Sequence, residues 1–152
     1  LRLHAPVISC ARFNPFRSTH MHRRTFIVAA AAATLPLEAQ AYPAEVFTPA
    51  LWRDLREDDR VVIFNYRATW SLTCQIKADL IADAIADNPA YQRLGFVDID
   101  WDTFGQSQLT QRLKVKRRST LLVMKRGTEI ARLENEPYAR RVRALLDTAL
   151  AA

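Results

Sequence analysis

The stretch "VVIFNYRATWSLTCQ", Val61 to Gln75, changes character in its middle. Its first half belongs to "RVVIFNY", Arg60 to Tyr66, a continuous β-branched and aromatic run that predicts a strand buried on both faces and therefore central in a sheet. From Leu72 to about Asp87 the apolar residues recur at helical period instead. Ile76, Leu80 and Ala84 form one row and Cys74, Ala78, Ile81 and Ile85 the next, with Lys77, Asp79 and Asp83 outside. Asn88-Pro89 ends the helix, because the residue before a proline is pushed out of the helical region. Open α/β sheets place their sites where a central strand ends and the next helix begins. Trp70, Ser71 and Cys74 fall there.

Outward from this turn, the chain alternates. "TPALWRDLRED" predicts a first helix, with Thr48 as N-cap, Pro49 at the first helical position and Leu51, Trp52 and Leu55 at helical spacing. "LGFVDID", Leu94 to Asp100, predicts a second strand, and "GQSQLTQRLKV" a shorter helix with Leu109 and Leu113 inward. "STLLVMK" and "TEIARL" predict two strands joined across Lys125-Arg126-Gly127, a tight hairpin with glycine where positive φ is needed. After Pro137, "YARRVRALLDTAL" is amphipathic, with Val142, Leu145, Leu146 and Leu150 inside. The order α-β-α-β-α-β-β-α predicts an α/β fold with a four-stranded mixed sheet and helices on both faces.

The 152 residues are 49% hydrophobic and 25% charged, the composition of a globular chain with one modest core. "MHRRTFIVAAAAATLPLEAQA", Met21 to Ala41, has a basic start at Arg23 and Arg24, an apolar centre from Phe26 to Ala33, and small residues at Ala39 and Ala41. This is the layout of an export signal cut after Ala41. A membrane anchor needs about twenty consecutive apolar residues, and Thr34, Pro36, Glu38 and Gln40 interrupt this run. Arg23-Arg24 also fits the twin-arginine variant as well as an ordinary basic start. Residues 1–20 read as an upstream segment from an overlong gene model, and residues 42–152 as the folded domain. The expected location is the periplasm, with membrane contact only transient during export.

Removing residues 1–41 changes the chemistry on offer. Cys10, His4, His20 and His22 go with them, so residues 42–152 hold no histidine and one cysteine, Cys74. Ser-His-Asp and Cys-His nucleophile systems cannot be assembled from that set, and a structural zinc site lacks its usual ligands. The net charge of +6 falls to +2, with 17 basic and 15 acidic residues from Tyr42 onward. Nucleic-acid binding loses its main support, although Lys114, Lys116, Arg117 and Arg118 form a local basic run. Asp98, Asp100 and Asp102 raise hard-cation binding only as a minor reading, since alternation puts Asp98 and Asp100 on one strand face and Asp102 in a loop or helix cap. No metal or cofactor is expected.

The segment quoted first resembles the exported branch of the thioredoxin-like family, whose strand and turn read V-x-N-F-W-A-x-W-C-x-x-C. Val62, Asn65, Ala68, Thr69, Trp70 and Cys74 fall on that pattern, with Ser71 at the place of the first cysteine. "VKRRSTLLVMKRGTEI" is similar to the family's V-x-x-x-P-T-L stretch through Val115, Thr120, Leu121, Leu122 and Gly127, with Ser119 at the place of the cis-proline. Asn65 stands where cytosolic thioredoxins carry a buried aspartate. The resemblance covers nearly all of residues 42–152. It implies a thioredoxin-like fold and a partner groove at Trp70, Leu72, Thr73, Ser119 and Thr120.

The departures alter the chemistry. In a Cys-x-x-Cys site the first thiolate attacks a substrate disulfide and the second resolves the mixed disulfide. Ser71 cannot do the first job, because its hydroxyl is not ionised near neutral pH and no histidine activates it. Cys74 alone cannot form an intramolecular disulfide. A cis bond before a residue other than proline costs about 3 to 4 kcal/mol, so Arg118-Ser119 is expected to be trans, with a reshaped loop. Two functions stay open: a module that binds a periplasmic protein partner without dithiol turnover, and a monothiol enzyme using Cys74 with an external resolving thiol. Exposure of the Cys74 sulfur separates them.

Overall fold

The computed structural model describes residues 42–152; the proposed upstream segment and signal lie outside the described residues. Eight of its elements organise the domain. They are β1 (Glu45–Val46), α1 (Pro49–Glu57), β2 (Val61–Arg67), α2 (Leu72–Asp87), β3 (Gly95–Asp100), β4 (Thr120–Lys125), β5 (Thr128–Glu134) and α5 (Ala139–Ala151), with short helices α3 (Trp101–Phe104) and α4 (Gln108–Arg112) between β3 and β4. The sheet has order β1-β3-β2-β4-β5, with β1, β3 and β2 parallel and β4 and β5 antiparallel to their neighbours. It has five strands rather than four. The extra one, β1, is two exposed residues long and carries no alternation for a sequence reading to detect.

β2 sits in the middle of the sheet, as its uninterrupted apolar run requires. Ile63 faces one core with Ala78, Ile81, Ile85, Leu121, Val123, Val142 and Leu146. Phe64 and Tyr66 face the other with Phe47, Leu55, Ile99, Leu122 and Met124. Fully burying one valine, leucine, isoleucine, phenylalanine or methionine side chain contributes about 1.5 to 3 kcal/mol relative to its exposed state. Two cores, one on each side of β2, hold the end of that strand rigidly beneath the turn into α2.

The local signals act where chemistry predicts. Thr48 Oγ1 accepts from Leu51 N at 3.1 Å and starts α1. Asn88 closes α2, then accepts from Ala90 N at 3.1 Å and opens a 3-10 turn over Pro89–Arg93 that the helical periodicity does not predict. Arg126 and Gly127 both have positive φ, 49° and 73°, as a two-residue turn between right-twisted strands requires.

One expectation about α2 is corrected. Lys77 is 1% exposed, whereas Ile76 is 39% exposed. The buried stripe runs Cys74, Lys77, Ala78, Ile81, Ala84, Ile85, at steps of three and four. Position 77 lies three residues after Cys74 and four before Ile81, so helix geometry carries it inward whatever its charge.

Candidate functional site

The end of β2, the turn at Ala68–Trp70 and the first turn of α2 make one corner of the domain; the loop that enters β4 closes it. Trp70 is 60% and Leu72 68% exposed, so the corner presents two large apolar side chains to solvent. The indole is fixed on two sides. Its Nε1 donates to Asp102 Oδ2 at 2.9 Å, and the Arg118 guanidinium lies over its ring at 4.4 Å.

Ser71 is the N-cap of α2 but its side chain makes no cap bond, and its Oγ is buried without a hydrogen-bond partner. Cys74, one turn further on, is buried as a free thiol, 3% exposed. Thr73 is half-buried, and its carbonyl is approached by Ser119 Oγ at 3.5 Å.

Ser119 and Thr120 are both fully buried. Neither side chain reaches the surface at which a partner groove is expected. The Arg118-Ser119 bond is trans, as the cost of a cis bond predicts, and Ser119 takes φ of 60°, turning its backbone inward. Its N–H donates to Tyr66 O at 2.6 Å, and its carbonyl accepts from Asn135 N at 2.9 Å and from the buried Lys77 ammonium. Left-handed backbone costs a non-glycine residue about 1 to 2 kcal/mol, which these three bonds offset. Thr120 is occupied by its own loop, with Oγ1 donating to Arg117 O at 2.8 Å.

Burial pushes the Lys77 amine down to about 8, against the opposing pull of Cys74 and Glu136. Deeper under the corner, Asp98 collects a polar network: Tyr42 Oη and Asn65 Nδ2 donate to its Oδ1 at 3.0 Å each, and Arg67 donates to its Oδ2 at 2.8 Å. Asn65 also donates to Tyr42 Oη at 2.7 Å. Burial first, and then the Asp98 carboxylate, raise the Tyr42 phenol far above its ordinary range. For Arg67, burial opposes the charge, and the bond and charge of Asp98 outweigh it, so its pKa stands above the usual arginine value.

The three aspartates of the β3 end do separate jobs. Asp98 serves this network, Asp100 caps α3 by accepting from Thr103 N at 2.9 Å, and Asp102, inside α3, holds Trp70. No group of three His, Cys, Asp or Glu among the described residues is arranged to hold a metal. The corner brings together Trp70, Ser71, Leu72, Thr73 and Cys74 as the turn predicts. Sequence reasoning misses the burial of Lys77, for which a lysine on the i, i+3, i+4 stripe through Cys74 is the signal. It names Arg118 within the basic run from Lys114 but not its stacking on Trp70, which pairs residues far apart in sequence.

Among solved structures, Trxlp from Edwardsiella tarda aligns with 98% of its length on 68% of this chain, at TM-score 0.60 and 22% identity. Thioredoxin of Malassezia sympodialis aligns with 92% of its length on 72% of this chain, at 0.59 and 23%. The chain has the thioredoxin fold. Thioredoxin NaTrxh from Nicotiana alata is similar to it at 0.57 and 19%, over 93% of its own length and 71% of this chain. No family model and no curated protein matches the sequence. In thioredoxin-fold terms, the corner is the strand-to-helix turn after the central strand, with serine at 71 and a single thiol at 74.

Proposed function

We propose that this chain is an exported thioredoxin-fold protein of the thiol-disulfide family that binds a protein partner in the periplasm and has no dithiol turnover. One observation carries the reading: the first turn of α2 holds a serine at 71 and a buried free thiol at 74, the only cysteine of residues 42–152. Reducing a disulfide takes two electrons, which a dithiol supplies by closing its own disulfide. One thiol stops at the mixed disulfide. What the corner still offers is a surface, with Trp70 and Leu72 exposed on a rigid base.

Export rests on the Met21–Ala41 pattern. A chain that begins at Tyr42 keeps the packing described above, since Tyr42 itself is buried and bonded to Asp98. The membrane is then met only in transit, and the charge of +2 gives nucleic acid little to hold.

The test is reduction of insulin disulfides by the purified protein carrying Cys10→Ser, with no added thiol. The reading expects no turnover; multiple turnovers would remove it. Cell fractionation tests the location: the cut form belongs in the periplasm, and Arg23→Lys with Arg24→Lys blocks its appearance there only if the twin-arginine route is used.

A second reading, a monothiol enzyme, draws on Lys77. Its buried amine interacts electrostatically with Cys74, so a thiolate there would find a cation one turn away. Such an enzyme would form a mixed disulfide at Cys74, and an external thiol would release it.

A further inference from the structure

We propose that Arg118, laid on Trp70 at the amino end of α2, is the recognition point for a carboxylate side chain on an extended acidic segment of the partner protein. A neighbouring aliphatic residue of that segment sits on Leu72 and Ile76. The inference rests on the binding-module reading and names the chemistry of the partner.

Arg118 is placed but not paired. Its guanidinium carbon stands 4.4 Å from the indole centroid, its Nε is buried without a partner, and no ion pair engages it among the described residues. A guanidinium stacked on a ring has already lost the rotamer freedom that binding costs, and its outer N–H edge matches a carboxylate bidentately. Six arginines of the domain have acidic partners, Arg60 with Glu45, Arg67 with Asp98, Arg126 with Asp59, Arg132 with Glu129, Arg141 with Glu136 and Arg143 with Asp87. Among the arginines without one, Arg118 is set apart by its stacking on an exposed indole.

A second, independent feature points the same way. α2 is 16 residues long, and its positive end has no side-chain cap, because the Ser71 Oγ at that end is buried and unbonded. An anion near this end would be favoured by the helix dipole. Lys116 and Arg117 are exposed just before Arg118 and add to the same sign. Asp102 and Asp100 bring opposing charge to this corner; their bonds from the indole Nε1 and from Thr103 orient the carboxylates without neutralising them, so the net sign there rests on Arg118, Arg117 and Lys116.

The apolar side chains decide the class of partner. Trp70, Leu72 and Ile76 are exposed at 60, 68 and 39%, and Leu72 and Ile76 lie one helical turn apart on the same face. A phosphate backbone leaves such a strip uncovered, whereas an acidic segment with aliphatic residues covers it. Charge complementarity and apolar cover together select a polypeptide.

The experiment is selection of a random 12-residue displayed peptide library on the immobilised Cys10→Ser protein, followed by affinity measurement on the selected peptides. Peptides enriched in Asp or Glu beside Leu, Ile or Val are expected. Their affinity should fall about tenfold when the acids are replaced by amides, and by a similar factor in Arg118→Ala. Arg118→Glu, at unchanged melting temperature, should reverse the charge preference of the selection. Basic or uncharged winners, affinity indifferent to Arg118, or tighter binding to single-stranded DNA or to phosphatidylglycerol vesicles than to the peptides would overturn the proposal. If selected peptides lose affinity on Leu72→Asp but not on Arg118→Ala, the binding-module reading stands and this inference falls. If no peptide is selected and the protein reduces disulfides with turnover, both fall.

Discussion

The Lys77 ammonium donates a hydrogen bond to the carbonyl of Ser119 from a position that is only 1% exposed. The helix stripe through Cys74 and the loop entering β4 are thereby tied together through a charged group inside the fold. Taking a charge out of water is costly, and the cost shows as an amine whose pKa burial pushes down to about 8.

That shift makes stability depend on pH in a window set by Lys77. Below about pH 8 the amine is charged in both folded and unfolded chains. Between about 8 and the ordinary lysine value of 10.5 the unfolded chain holds a proton that the folded chain has released, so unfolding takes up a proton. Stability therefore rises with pH across the window, by roughly 3 kcal/mol. Lys77→Met lacks this contribution. Urea unfolding of both proteins from pH 7 to 10.5 should show the wild type gaining on the variant, with tyrosine ionisation common to both; a constant difference would contradict the assignment.

Cys74 should behave as a sheltered thiol. In the Cys10→Ser protein, a bulky maleimide should react with the native state on the order of a hundredfold more slowly than with the urea-unfolded chain, because reaction waits for the first turn of α2 to open. Comparable rates would favour the monothiol enzyme. Mass mapping of the labelled peptide checks that the adduct is on Cys74.

Gly127 is held at φ of 73°, and a Cβ there would stand 2.9 Å from Arg56 Cγ. Gly127→Ala combines left-handed strain with a close contact that a flexible arginine can partly relieve. A loss of about 1 to 2 kcal/mol in denaturant unfolding is expected. An unchanged midpoint would mean that the hairpin tolerates another turn.

How far the sequence reveals this domain depends on whether a signal is local. The central strand at Arg60–Tyr66, the helix from Leu72 to Asp87 and the N-cap at Thr48 all rest on nearby chemistry, and the structure has each of them. β1 has no local signal because two residues carry no period; pairing with Val97 and Asp98 alone makes it a strand. Cys74, Ala78, Ile81, Ala84 and Ile85 lie inward as their spacing predicts, but Lys77 and Ile76 exchange their expected places, because the face of a helix is set by what packs on it and hydrophobicity alone misplaces these two. At the site, Trp70, Ser71 and Cys74 follow from the strand-to-helix turn. The inward rotation of Ser119 does not, since it depends on partners at Tyr66, Lys77 and Asn135 that are distant in sequence.

The central claim is that the turn keeps the geometry of a dithiol site and lacks one sulfur. Cys74 N–H donates to Ser71 O at 2.9 Å, so a single turn at the start of α2 joins the two positions, and the buried Ser71 Oγ makes no hydrogen bond that a sulfur would break. Oxidation of the Ser71→Cys, Cys10→Ser protein with oxidised glutathione, read by intact mass and by loss of both free thiols, tests this most directly. The account predicts an intramolecular bridge between positions 71 and 74 that dithiothreitol reverses without unfolding the protein. Two persistent free thiols, or only glutathione adducts and dimers, would contradict it.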